Sequence, residues 1–198
     1  MPREATVKRK TAETDITLGI NLDGHGQSGT KTGIPFFDHM LTLFAKHGLF
    51  DLKIKAKGDL DVDFHHTVED VGITLGEAIR KALGDKKGIG RYGSSDVPMM
   101  DALATVTLDI GGRPSLMLSA PKAAYRPSRK EAFDMGLAEE FMKALSNTAG
   151  IDLHVTLHYG RDPHHSIEAI VKALGRALRQ AVEKDKRMKG VPSTKGRL

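Results

Sequence analysis

The chain has 198 residues, room for one large domain or two small fused ones, and its 39% hydrophobic and 28% charged content is that of an ordinary soluble globular protein. It contains no cysteine, which excludes a disulfide framework and thiolate metal sites, leaves His and carboxylate as ligands for a transition metal, and is compatible with the cytoplasm, where we expect it to act. No run is long enough to cross a bilayer and no signal segment is read at the start, while a net charge of +5 with 5% aromatics and no Trp suits a small anionic substrate better than nucleic acid.

Residues 3–10 and 15–22 read as a strand pair, the second alternating cleanly between apolar and polar. Residues 23–30 are glycine-rich without phosphate-loop spacing and read as a turn. A helix is predicted over residues 36–47, with Phe37, Met40, Leu41 and Phe44 at helical spacing and His39 and His47 two turns apart. Either histidine alone is more often a surface or core-edge residue than a ligand. Leu52, Ile54 and Ala56 alternate with lysines as a strand, and the acidic loop 58–63 leads into His65-His66-Thr67-Val68-Glu69. That motif opens a helix running through Val71, Leu75, Ile79 and Leu83 to a stop at Gly84.

Residues 86–93, rich in glycine and positive charge, join the halves; Arg91 is a candidate phosphate ligand, although such a segment alone reads better as a solvated linker. Residues 102–110 alternate as a strand, Gly111-Gly112 reads as a hairpin turn, and residues 113–119 return as its partner. A helix over residues 133–145, a strand through Leu153, Val155 and Leu157, and a helix from His164 to about Glu183 complete the second half. Two β-β-α-β-α units, about residues 1–85 and 99–185, predict an α+β sandwich of sheets with helices packed on one side. The basic tail 186–198, taken alone, passes for a disordered end.

The second long helix opens with His164-His165-Ser166-Ile167-Glu168, a near-copy of the first motif half the chain's length further on. Such self-similarity points to duplication of a half-domain. In a helix the two histidines lie four and three residues before the glutamate, so one face carries all the donors. Two imidazoles and a carboxylate suit manganese, iron or zinc. A single copy would read better as a polar helix start; two copies favour metal.

Phe36-Phe37-Asp38-His39-Met40-Leu41, the stretch from Asp63 to Asp70, Pro163-His164-His165-Ser166-Ile167-Glu168-Ala169 and Val191-Pro192-Ser193-Thr194-Lys195-Gly196 together resemble the imidazoleglycerol-phosphate dehydratase family of histidine biosynthesis. The resemblance covers nearly the whole chain, with the motifs in family order. It implies a ribosomal protein S5 domain 2-like sandwich and a hydro-lyase with two manganese ions per active site. The substrate, imidazole glycerol phosphate, loses its hydroxyl from the carbon beside the ring and a proton from the next carbon, giving imidazole-acetol phosphate. Neither position is activated by a carbonyl. Metal ions on both ring nitrogens would favour an imidazolate, which expels the hydroxyl through a diazafulvene-like intermediate.

Carried over residue by residue, the resemblance makes His39, His65, His66, Glu69, His164, His165 and Glu168 metal ligands that also meet substrate. Glu13 matches the proposed acid/base, and Glu69 and Glu168 are counted with it as catalytic; by itself Glu13 would read as an exposed turn carboxylate. His47 and Lys172 match substrate contacts. Arg91, Arg113, Ser193, Thr194 and Lys195 match the residues that hold the phosphate, for which guanidinium, hydroxyl and ammonium are suitable donors. The family forms homo-24-mers with metal sites shared between neighbouring subunits; no nucleic acid or membrane partner is expected.

Three positions depart from the family. Glu140 stands where the plant enzyme has a further ligand histidine, and reads equally as a ligand or as a solvated helix residue. Met100 occupies a usually acidic position ahead of Asp101, and His158 lies where no family histidine is expected. Two rival readings are a metallohydrolase, which predicts activity on phosphoesters or amides, and a metal-storage module, which gives Glu13 and the tail no task.

Overall fold

A computed structural model of the chain describes residues 2–125, 133–196 and 198, so Arg197 of the tail lies outside the described residues. The first half runs β1 (Glu4–Lys10), β2 (Thr14–Asn21), β3 (Ser28–Lys31), α1 (Pro35–Gly48), β4 (Asp51–Gly58) and α2 (His65–Leu83). The second repeats this order as β5 (Tyr92–Met99), β6 (Ala102–Asp109), β7 (Ser115–Ser119), α3 (Met135–Ala149), β8 (Asp152–Tyr159) and α4 (Pro163–Val182), with a 3-10 turn at Lys122–Tyr125. Each half makes one mixed four-stranded sheet, in the orders β1-β2-β4-β3 and β5-β6-β8-β7. The edge strands β3 and β7 pair in parallel with β4 and β8, and the other neighbours are antiparallel.

The expected duplicated α+β architecture is present, with one strand more in each half than the sequence reading assigned. β3 begins inside the stretch read as a turn and runs one residue past it; its four residues are mostly exposed and carry no apolar alternation. β5 was hidden for a different reason. Its inward positions are Gly93 and Ser95, because α4 lies so close that a Cβ on Gly93 would sit 1.9 Å from the Ala177 carbonyl oxygen. A strand that buries glycine and serine has no hydrophobic period to read. The Gly111-Gly112 turn does not join a hairpin: residues 115–119 pair with β8, which separates them from β6. Nor is the 86–93 segment a solvated linker, since Ile89 is fully buried and bridges to Lys184.

The helices lie between the sheets. α2 packs on β1 and β2, α1 on β3 and β4, α4 on β5 and β6, and α3 on β7. Across the middle the halves exchange partners, α1 against α4 and α2 against α3. Both crossings depend on missing side chains. A Cβ on Gly175 would meet the Phe44 carbonyl oxygen at 2.6 Å, and Cβ atoms on Gly72 and Gly76 would meet the Phe141 and Leu145 carbonyl oxygens at 2.7 and 2.8 Å. Successive residues on one helix meet successive residues on its partner, so each pair runs in parallel and brings two N-termini together. That arrangement positions the site, because every motif histidine stands in a first helical turn.

Candidate metal centre

His39 on α1 and His164 and Glu168 on α4 meet at the N-terminal end of their helix pair. Their donor atoms all lie within 4.8 Å of one another, the one such three-residue group among the described residues. Glu168 Oε2 is 3.1 Å from His164 Nε2 and 3.9 Å from His39 Nε2. Its other oxygen, Oε1, accepts from Lys172 Nζ at 2.6 Å. The carboxylate is therefore held on one side and presents one oxygen to two imidazoles. Burial pushes the Glu168 carboxyl up, but the Lys172 hydrogen bond and charge, followed by His164, outweigh it and leave it below the usual carboxylate value. A nitrogen-and-oxygen donor set at this spacing fits a transition metal, whose bonds to such donors are about 2.0–2.2 Å.

The first motif occupies the corresponding end of the α2–α3 pair. His65 Nε2 lies 3.8 Å from Glu69 Oε2, and His66 Nε2 lies 3.8 Å from Glu13 Oε1 at the tip of the β1–β2 turn. Glu140 on α3 and His65 line the same open hollow of about 760 Å³, together with residues 60–64. Glu140 thus stands to the first motif as His39 stands to the second, each about one and a half helical turns before the carbonyl, of Leu145 and of Phe44, that meets the close-packed glycine of the motif helix, Gly76 and Gly175. Its carboxylate also lies 3.4 Å from Lys143.

Two aspartates orient the second histidine of each motif. His66 Nδ1 donates to Asp59 Oδ2 at 2.9 Å, and His165 Nδ1 donates to Asp101 Oδ1 at 2.6 Å. In both rings this leaves Nε2 as the free nitrogen, the way outer carboxylates set the tautomer of ligating histidines. These hydrogen bonds raise both imidazoles above the ordinary histidine value. Asp101, holding His165 and the backbone amides of Asp162 and Arg161, is lowered to about 2. Asp59 and Asp101 were not singled out from sequence. The acidic loop before the first motif was the available signal for Asp59, and the Met100 departure drew attention to the wrong neighbour of Asp101. Met100 itself is 83% exposed with φ +48°.

His47 lies along α1 beside Lys172 and Arg176; burial, then those two charges, lowers its imidazole below the ordinary value. Arg91 is elsewhere. Its Nε and Nη2 donate to Asp109 at 2.6 and 2.8 Å, and Nη1 donates to the Pro192 carbonyl at 2.8 Å. The tail folds back over this guanidinium, with Ser193, Thr194 and Lys195 in a turn closed by Gly196 N on the Ser193 carbonyl at 3.0 Å. Leu198 ends against Gly112, next to the exposed Arg113. These five residues therefore gather at the C-terminal end of α4, where the Arg91 amide bonds the Ala181 carbonyl. From Glu168 to Ala181 the helix rises about 20 Å. In one chain the phosphate candidates therefore lie far from the His39–His164–Glu168 group, while the first motif stands at the end of the other helix pair. His158 pairs with Thr105 at 2.7 Å on the outer face of its sheet.

The sequence matches the family described as imidazoleglycerol-phosphate dehydratase over residues 32–178. The chain belongs to that family. The imidazoleglycerol-phosphate dehydratase of Acetivibrio thermocellus is 59% identical over 198 residues, all of both chains, and that of Clostridium botulinum strain Hall is 57% identical over 194 residues, 98% of this chain and 97% of its own. Among solved structures, the Staphylococcus aureus imidazoleglycerol-phosphate dehydratase superposes with a TM-score of 0.80 at 37% identity, covering 92% of this chain and 99% of its own. The Pyrococcus furiosus enzyme in complex with (S)-C348 does so with a TM-score of 0.83 at 37% identity, covering 97% and 100%. Imidazoleglycerol-phosphate dehydratases are hydro-lyases of histidine biosynthesis, which sets aside the hydrolase and storage readings. Among the described residues no helix is long and apolar enough to cross a membrane.

Proposed function

We propose that this chain dehydrates D-erythro-imidazole-glycerol phosphate to imidazole-acetol phosphate by the ring-assisted route, using two manganese ions held by His39, His65, His66, Glu69, Glu140, His164, His165 and Glu168. The observation that carries the proposal is the His39–His164–Glu168 group, with the far oxygen of its carboxylate already committed to Lys172. Manganese, when bound, supplies positive charge that favours the deprotonated ring of the substrate. Asp59 and Asp101 keep His66 and His165 turned with Nε2 outward. Glu13, exposed and facing His66, moves the proton that the substrate's carbon loses. His47 and Lys172 contact the substrate beside the metals. Arg91, Arg113, Ser193, Thr194 and Lys195 take the phosphate.

The parallel between Glu140 and His39, each on the helix packed against a motif helix, supports a ligand role for Glu140. The separation of about 20 Å between the metal and phosphate ends of α4, longer than the three-carbon substrate, supports sites completed by a neighbouring subunit, as in a 24-subunit shell. The test is turnover of imidazole glycerol phosphate by manganese-loaded protein before and after chelation. Ketone product that vanishes with chelator and returns with manganese is expected; manganese-loaded protein without turnover would overturn the proposal.

A further inference from the structure

The two halves differ where the β1–β2 turn meets α2. Asp70 is buried in α2, one residue beyond the first motif. One oxygen of its carboxylate accepts from Arg9 Nε at 3.0 Å, with Arg9 Nη2 at 2.9 Å, and the other accepts the hydroxyl of buried Thr14. Thr14 closes the turn that carries Glu13. There the Thr11 hydroxyl accepts the Glu13 and Thr14 amides at 3.1 and 3.0 Å, and the Thr11 amide donates to the Thr14 carbonyl at 2.9 Å. The turn is thus closed on itself and bolted to the helix that bears His66. The Glu13 carboxylate accepts no hydrogen bond among the described residues, and its spacing to His66 is set by that backbone.

In the second half the inward Ser95 and Ala104 correspond to Val7 and Ile16, so Arg9, Thr14 and Asp70 correspond to Val97, Ala102 and Ala169. All three are apolar. The matching turn carboxylate, Asp101, is shorter and anchored directly through His165 and two backbone amides. The pair buries the Asp70 carboxylate at 8% exposure but leaves Arg9 at 35%; burying a carboxylate offsets much of its attraction to the cation, and the second half shows that the fold closes here without one. The polar set occurs only in the half whose turn carboxylate is otherwise unheld.

We propose that Asp70, with Arg9 and Thr14, is a positioning residue that holds the Glu13 turn in register with His66. This rests on the reading of Glu13 as the acid/base, since a group moving a proton must stay within hydrogen-bond reach of it. Two variants test it: Asp70→Asn, and the triple Arg9→Val/Thr14→Ala/Asp70→Ala, which installs the second half's residues and leaves no buried charge unpaired. In both, kcat falls by about 10- to 100-fold, the scale of a misplacement near 1 Å. KM and manganese content hold, and amide hydrogen exchange at residues 11–14 speeds up. Placed in a Glu13→Gln background, the triple variant lowers kcat no further, because the group it positions is gone. An equal loss in both backgrounds, or unchanged turnover and exchange in the triple variant, would overturn the inference. Wild-type turnover in Glu13→Gln alone would instead sink the reading of Glu13 itself, a result distinct from an enzyme that needs Glu13 but not its anchor.

Discussion

Glu168 concentrates the local electrostatics of the second motif. Its side chain is 8% exposed and its Lys172 partner 15%, so the pair is largely out of water. Lys172→Met leaves a buried carboxylate without its cation, and the expected loss is about 3 kcal/mol in denaturant titrations with chelator present. Added manganese recovers part of it by taking the cation's place. Asp101→Asn keeps the shape but weakens the hold on His165; a manganese titration should show affinity reduced by about 10- to 100-fold, the usual effect of removing a carboxylate behind a ligating histidine. Asp51 offers a test away from the site. Its carboxylate accepts the amides of His25 and Gln27 at 2.9 and 3.0 Å, and these bonds hold it below the ordinary aspartate value. A lowered folded value gives stability that is complete above the unfolded value of 3.8 and disappears as pH falls through the folded one. The gap between wild type and Asp51→Asn is therefore expected in full at neutral pH and to close in acid, read from denaturant midpoints along a pH series.

At the scale of elements, the two helix crossings set which side chains meet. Gly72→Ala places a methyl group against the Phe141 carbonyl oxygen and the Ala144 side chain, and Gly175→Ala places one against the Phe44 carbonyl oxygen and the Gly48 amide. Backbone atoms cannot rotate away, so each substitution should cost about 1–3 kcal/mol by thermal or chemical unfolding. Gly175→Ala should in addition weaken manganese binding, since prying α1 from α4 draws His39 away from Glu168. The long helices were legible because their apolar stripes recur at helical spacing, and β2, β4, β6 and β8 because they alternate. β3 and β5 were not, one for want of buried side chains and the other because its buried side chains had to be small. The false hairpin at Gly111-Gly112 has a similar origin. Two alternating runs around a glycine pair carry no mark that a third strand enters between them.

For the whole molecule, the distance between the two ends of α4 has a consequence for mixed assemblies. On the proposed assignments Glu69→Gln removes a metal ligand and Arg113→Ala a phosphate donor, and each variant alone is then expected to be inactive. If a site draws these sets from different subunits, dissociating and reassembling the two variants together restores a fraction of the turnover; sites built within one chain would restore none. The sequence by itself determined the duplication, the two histidine–glutamate faces and the family, because these rest on residue identity and short helical spacing. Only the tertiary structure decided that α1 pairs with α4 and α3 with α2, which aspartates turn the histidines, and how far the tail lies from the motifs. Those depend on contacts between segments distant along the chain, made possible by glycines whose role is visible only once a second backbone lies against them.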